Sequence, residues 1–237
     1  MNEHRDHCAK LLSLAVHEFR SPVAVVSGYL RLLVKHFADN LTEKQLHLLQ
    51  ESEKSCGALS KLLADLAELA QLEADSVGMR REPVPIFALL REVASNVHEG
   101  SDRGVTLEVV APETDVVVEG DRGRLSAALA SVLHAVLRER PGATRLMACG
   151  SVQCESAPRV VIAVADGETA SSLSGAGDHV LGAGFDEYRG GLGFRLPIAA
   201  RVIEAHGGRL HSPVTERGQF AIVVALPLTS PDAEKTG

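Results

Sequence analysis

The 237-residue chain predicts two architectures in series: an all-α dimerising helical hairpin, forming a four-helix bundle in the dimer, followed by an α+β sandwich domain. Three observations predict it. Apolar residues recur at spacings of three and four from about residue 5 to residue 75, with a single break. Gly78, Pro83 and Pro85 then interrupt any helix. Beyond them, short β-branched runs alternate with helical stretches. The expected domains are 1–78, 79–229 and a loose polar tail over 230–237.

The first helix is expected over residues 5–38, its stripe made by Leu11, Leu12, Leu14 and Ala15 and then by Val23, Val26, Leu30, Leu33 and Phe37. Ala38-Asp39-Asn40 breaks it. Thr42 and Gln45 have capping-box spacing, the hydroxyl accepting an N–H of the new helix and the amide reaching back. The second helix runs to about Asp75, with Leu59, Leu62, Leu66 and Leu69 as a heptad-like seam. Two helices leave much of each other's apolar surface uncovered, and pairing into a four-helix bundle buries the remainder. A homodimer is therefore expected from patterning alone.

Residues 76–85 read as a hinge. Strands are expected at Val105–Val110, Val116–Val118, Arg145–Met147, Val160–Val164 and Phe220–Leu226, and helices at Asp121–Arg138 and Leu196–His206, the last ended by Gly207-Gly208. The expected layout is one sheet with helices on one face.

Composition narrows the function. Apolar residues make up 45% of the chain and aromatics 3%, so the core is aliphatic. The net charge of -7 argues against nucleic acid and anionic lipid as partners. No run of roughly 18 apolar residues predicts a membrane span. Cys8, Cys56, Cys149 and Cys154 form no CxxC pair and read as reduced thiols of a cytoplasmic protein, with no metal site expected.

The chemistry concentrates at His17-Glu18-Phe19-Arg20-Ser21-Pro22, inside the first helix. Pro22 removes an N–H and crowds the carbonyl of Glu18, so a bend beside His17 is expected. A phosphoryl acceptor needs a neutral imidazole, and the ordinary imidazole pKa near about 6.5 provides one. A carboxylate steadies the ring as its other nitrogen attacks, and a cation holds the phosphoryl oxygens. Glu18 and Arg20 supply those groups. His4, His7, His36 and His47 read as ordinary surface histidines.

HEFRSP resembles the H-box of two-component histidine kinases. The resemblance continues in LSKLLADLAELAQLE at 59–73, EPVPIFALLREV at 82–93, DRGRL at 121–125 and RVIEAHGG at 201–208. It implies an ATP-binding domain of the GHKL (Bergerat) type and a response-regulator receiver domain as partner. By the same resemblance His17 is the phosphoacceptor, Glu18 its acid/base partner and Arg20 a phosphate ligand. Ser21 stands where a hydroxyl or amide positions water.

The nucleotide site departs from the family pattern. Two asparagines that help hold magnesium are replaced by Ser131 and Ala135, with His134 and Glu139 near them. The first glycine box keeps Asp166, the adenine-recognising carboxylate, but carries Glu168 and Ala170 in place of glycine. The second keeps Gly191 and Gly193 and gains Arg195, which either grips phosphate or fills its place. Only Ser171 to Gly190 remains for the lid. Two readings stay open: a histidine kinase with a weak magnesium–ATP site, and a dimeric phosphotransferase or pseudokinase that exchanges phosphate on His17 without ATP.

Overall fold

The computed structural model describes residues 2–74, 78–154, 157–176, 184–186, 193–213, 215 and 220–228, for residues 2–6 the backbone alone. The chain divides into two compact units, Met1–Val77 and Gly78–Gly237. The expected tail over 230–237 lies outside the described residues.

The first unit is the antiparallel hairpin of α1 (Asn2–Phe37) and α2 (Glu43–Glu73). The helix α1 is continuous through Pro22. Ala38–Asn40 form a short 3-10 turn. The capping box is complete: Gln45 N donates to Thr42 Oγ1 at 3.4 Å and Thr42 N to Gln45 Oε1 at 2.9 Å. Ala9, Val16 and Ser27 of α1 are buried, as are Cys56, Ala70 and Leu72 of α2. Ser27 Oγ accepts from Arg31 Nη2 at 3.1 Å, and Arg31 Nε lies 3.4 Å from Glu53 Oε1, tying the helices together. Phe19, Val26, Leu33 and Phe37 remain exposed on α1, as do Leu48, Leu59 and Leu62 on α2.

The second unit opens with β1 (Glu82–Pro85), α3 (Ile86–Ser95), β2 (Val105–Val110), β3 (Val117–Gly120) and α4 (Arg122–Arg138). It continues with β4 (Thr144–Gln153), β5 (Arg159–Asp166), α5 (Gly167–Gly175), α6 (Arg195–Ala205), β6 (Arg209–His211) and β7 (Ile222–Pro227). The main sheet has the order β2-β4-β5-β7-β6, with β2 parallel to β4 and the other pairs antiparallel.

Two expectations need correction. Residues 82–85 are no hinge: they pair antiparallel with β3. Proline fits because a two-stranded ribbon has only edge strands, where a missing N–H breaks no second ladder. Nor do helices cover one face alone. Leu146, Ala148, Ile162, Val164, Ile222 and Val224 share the face toward α3, α4 and α6; a Cβ on Gly150 would strike Phe87, and one on Gly208 would meet Leu226 and Ile203. The opposite face presents Cys149, Ala163, Ala165, Ala221 and Val223, and α5 covers it with Ala170 and Leu173. The cause lies in β5, where Val160–Ala165 are all fully buried. A strand apolar on both faces needs a cover on both.

Two polar junctions fix the helices. Pro85 cannot cap α3 with its side chain; Asp115 does so from a distant loop, accepting from Phe87 N at 2.9 Å and Ala88 N at 2.7 Å. Buried His206, just past α6, accepts from Asp121 N through Nε2 at 2.9 Å. Its Nδ1 must then carry the proton, donated to Val202 O at 2.6 Å. The ring lies so close to Gly120 that a Cβ there would sit 2.3 Å from His206 Cδ2.

Burial holds the His206 pKa below the usual histidine value, against the opposing pull of the Val202 carbonyl and the Asp121 carboxylate. The unfolded chain therefore takes up the proton first, and the contribution of His206 is complete above about pH 6.5 and declines as pH falls below it. Thermal unfolding followed between pH 8 and 5 is expected to show the second unit losing stability below about pH 6.5. His206→Leu is expected to cost about 1–3 kcal/mol at pH 7.5, by orphaning the Asp121 N–H, and to flatten that decline.

Candidate functional site

His17 stands on the outer surface of α1 with its side chain 83% exposed, and Glu18 Oε1 lies 3.6 Å from its Nδ1. That distance is ion-pair range and longer than a hydrogen bond. It leaves Nε2 as the free nucleophilic nitrogen when the proton sits on Nδ1. His17 lines a groove of about 320 Å³ together with Lys10, Ser13 and Arg20 of α1, over a floor that includes Ala67 and Ala70 of α2. Helical periodicity explains the set: positions seven and four residues before His17 and three after it fall on one face. Glu18 and Ser21 are exposed and do not line this groove. The hairpin thus brings His17, Glu18 and Arg20 together. Lys10 and Ser13 were not singled out from the sequence, although helical spacing from His17 marks both.

In the second unit, Ser131 is on α4, where its hydroxyl donates to the carbonyl of Ala127 in its own helix at 2.9 Å. Ala135 is fully buried. His134 Nδ1 lies 3.6 Å from Glu99 Oε2. Arg195 is the first residue of α6, behind Gly193 with its positive φ of 61°. Gly191 lies outside the described residues.

Asp166 ends β5 and takes the cap position of α5, without a capping hydrogen bond from its side chain. Its Oδ1 is shielded from solvent and faces Arg140 Nη2 at 3.5 Å. Arg140 is 6% exposed, and the same nitrogen donates to Phe220 O at 2.9 Å. The rest of Asp166 opens on a cavity of about 1050 Å³ lined also by Glu168, Thr169, Ser171, Arg145 and Thr215. The residues of the first glycine box and the start of the expected lid are the helix α5, and they are pinned. Ser151 Oγ and Gln153 Nε2 both donate to Ser174 O, at 2.5 and 3.0 Å, and Cys149 Sγ lies 3.6 Å from Ser171 Oγ.

A phospho-acceptor-type hairpin joined to a GHKL-type α/β domain is the class these features define, and the comparisons agree. Residues 9–75 match the His Kinase A (phospho-acceptor) domain family. The chain is 27% identical over 226 residues to the signal transduction histidine-protein kinase BaeS of Escherichia coli (strain K12), covering 90% of this chain and 45% of that protein. It is 26% identical over 201 residues to the sensor protein DivL of Caulobacter vibrioides, covering 81% of this chain and 24% of that protein. Full-length ShkA, solved in complex with AMPPNP, superimposes with a TM-score of 0.71 at 25% identity, over 93% of this chain and 46% of that one. The histidine kinase AdeS of Acinetobacter baumannii shares the fold, with a TM-score of 0.58 at 17% identity over 90% of this chain and 98% of that one. The chain is homologous to sensor histidine kinases. It spans less than half the length of the two curated relatives named here. Among the described residues, no helix is long and apolar enough to cross a membrane.

Arg140 is buried and Asp166 half-buried, so removing the carboxylate takes the ionic partner from a shielded guanidinium. Asp166→Ala is expected to lower the stability of the second unit by about 1–2 kcal/mol in urea unfolding. The double variant Asp166→Ala/Arg140→Leu is expected to recover most of that loss, and a double-mutant cycle with no coupling would refute the pairing.

Proposed function

We propose that this chain is a dimeric two-component phosphotransfer protein of the histidine kinase type. In this reading His17 carries the phosphoryl group and exchanges it with the aspartate of a response-regulator receiver domain. The single observation that carries it is the exposed His17 beside Glu18 and Arg20 on α1, inside the segment matching the phospho-acceptor domain family. Neutral His17 attacks phosphorus through Nε2, Glu18 supports the charge arising at Nδ1, and Arg20 holds phosphoryl oxygens. Ser21 offers a hydroxyl to water one turn beyond His17.

The seam left exposed on the hairpin supports dimerisation. Phe19, Val26 and Leu33 recur every seven residues on α1, and Leu59 and Leu62 stand out on α2. Light scattering at micromolar concentration is expected to give twice 25.1 kDa. Val26→Glu combined with Leu62→Glu is expected to give a monomer, because it would bury unpaired charge in the seam.

ATP is the phosphoryl donor that the homology suggests, and AMPPNP binds the related ShkA. Here the residues fit magnesium–ATP poorly. Ala135 has no ligand atom, Ser131 is bonded to its own helix, and an adenine must share Asp166 with Arg140. Each lost charge-assisted contact is worth about 1.5–3 kcal/mol, and about 1.4 kcal/mol is tenfold in affinity. We therefore expect magnesium–ATP to bind in the millimolar range or not at all. Calorimetric titration with and without magnesium tests the site; tight magnesium-dependent binding would refute its weakness. Acid-labile label after incubation with ATP or with a phosphorylated receiver tests His17. His17→Gln is expected to abolish that label with helicity unchanged, and persistent label would exclude His17.

A further inference from the structure

We infer that Lys10 is a second phosphoryl-binding residue of the His17 groove, opposite Arg20. The inference rests on the reading of His17 as phosphoryl acceptor and extends it to a residue two helical turns away.

The groove holds two cations, Lys10 and Arg20, and among the described residues no carboxylate lines it. Ser13 adds a hydroxyl between them. Ala67, Ala70 and the neutral amide Gln71 line it from α2, so among the described residues this stretch brings the groove no competing acid. Such a site attracts a small dianion and repels cations.

Side-chain direction sets the roles. Helical side chains lean toward the N-terminus of their helix. Arg20 therefore leans toward His17, and His17 leans over Ser13 toward Lys10. Lys10 Cα lies about 10.5 Å up the axis from His17 Cα, at 1.5 Å per residue. The imidazole and the phosphoryl group on its far nitrogen span most of that gap, and the flexible lysine stem closes it. Glu18 lies beside Nδ1 and does not line the groove; in the arrangement inferred here the group on Nε2 enters the cationic part. Arg20 then holds the phosphoryl group from the C-terminal side and Lys10 from the N-terminal side.

Phosphoramidate tests this without ATP or a partner protein. The Nε2 lone pair forms the new N–P bond, the P–N bond of the reagent breaks with its electron pair leaving on ammonia, and the Nδ1 proton passes to Glu18 or buffer. His47 is an internal reference, exposed on α2 with Glu43, Lys44 and Glu51 as its helical neighbours. Phosphorylation of the full-length protein is followed residue by residue by mass spectrometry. In the wild type His17 is expected to label faster than His47, with the preference shrinking at 1 M salt. Lys10→Gln is expected to reduce the His17 rate about threefold, within the range of one partly exposed charge contact, with His47 unchanged. Lys10→Arg is expected to retain the wild-type rate, which a purely structural role for the lysine stem does not require of a different head group.

Equal labelling of His17 and His47 in the wild type would overturn the inference. So would an unchanged His17 rate in Lys10→Gln, or a fall shared by His47. The phosphotransfer reading fails separately: His17 would refuse label from both ATP and a phosphorylated receiver while the phosphoramidate preference survived.

Discussion

No face of β5 is open to water, and much of the second unit follows from that. Six consecutive apolar residues, Val160 to Ala165, require cover above and below the sheet. The helices α3, α4 and α6 supply one side. The other is closed by α5, the nine residues that follow Asp166 directly. That segment is tied to the sheet by Ser151, Gln153 and Cys149, and its first turn lines the cavity on which Asp166 opens.

The two units differ in how they treat charge. The hairpin leaves His17 exposed, with ionic groups that water still reaches, so its electrostatics depend on salt. The second unit buries Arg140 and shields the Asp166 oxygen that faces it, so their interaction is screened less than a surface pair. An exposed histidine on the hairpin is joined in one chain to an α/β domain whose Asp166 has a cation beside it.

Much of this was legible in the sequence, because the signals were local. The capping box at Thr42 and Gln45, the helical stripes, the strand runs and the left-handed Gly207 are all set by residues within a few positions of one another. What escaped was set by residues far apart. Asp115 caps α3 across 28 positions, and Arg140 meets Asp166 through the fold. The strand β1 was hidden by prolines that usually mark a hinge and here occupy an edge. The helix α5 had an indirect signal: an unbroken apolar run in β5 announces a second layer, though not which segment supplies it. The helical face that His17 shares with Lys10, Ser13 and Arg20 follows from periodicity, whereas the groove itself also needs α2.

The contact between Gly120 and His206 carries a consequence for the history of this sequence. The imidazole lies where a methyl group on residue 120 would be, and it also holds the first backbone amide of the α4 cap. Neither position is free to drift by itself. A larger residue at 120 requires a smaller one at 206, and a smaller one at 206 leaves the Asp121 amide in search of another acceptor. Among homologues the two positions are therefore bound to change as a pair, although they stand 86 positions apart in the chain.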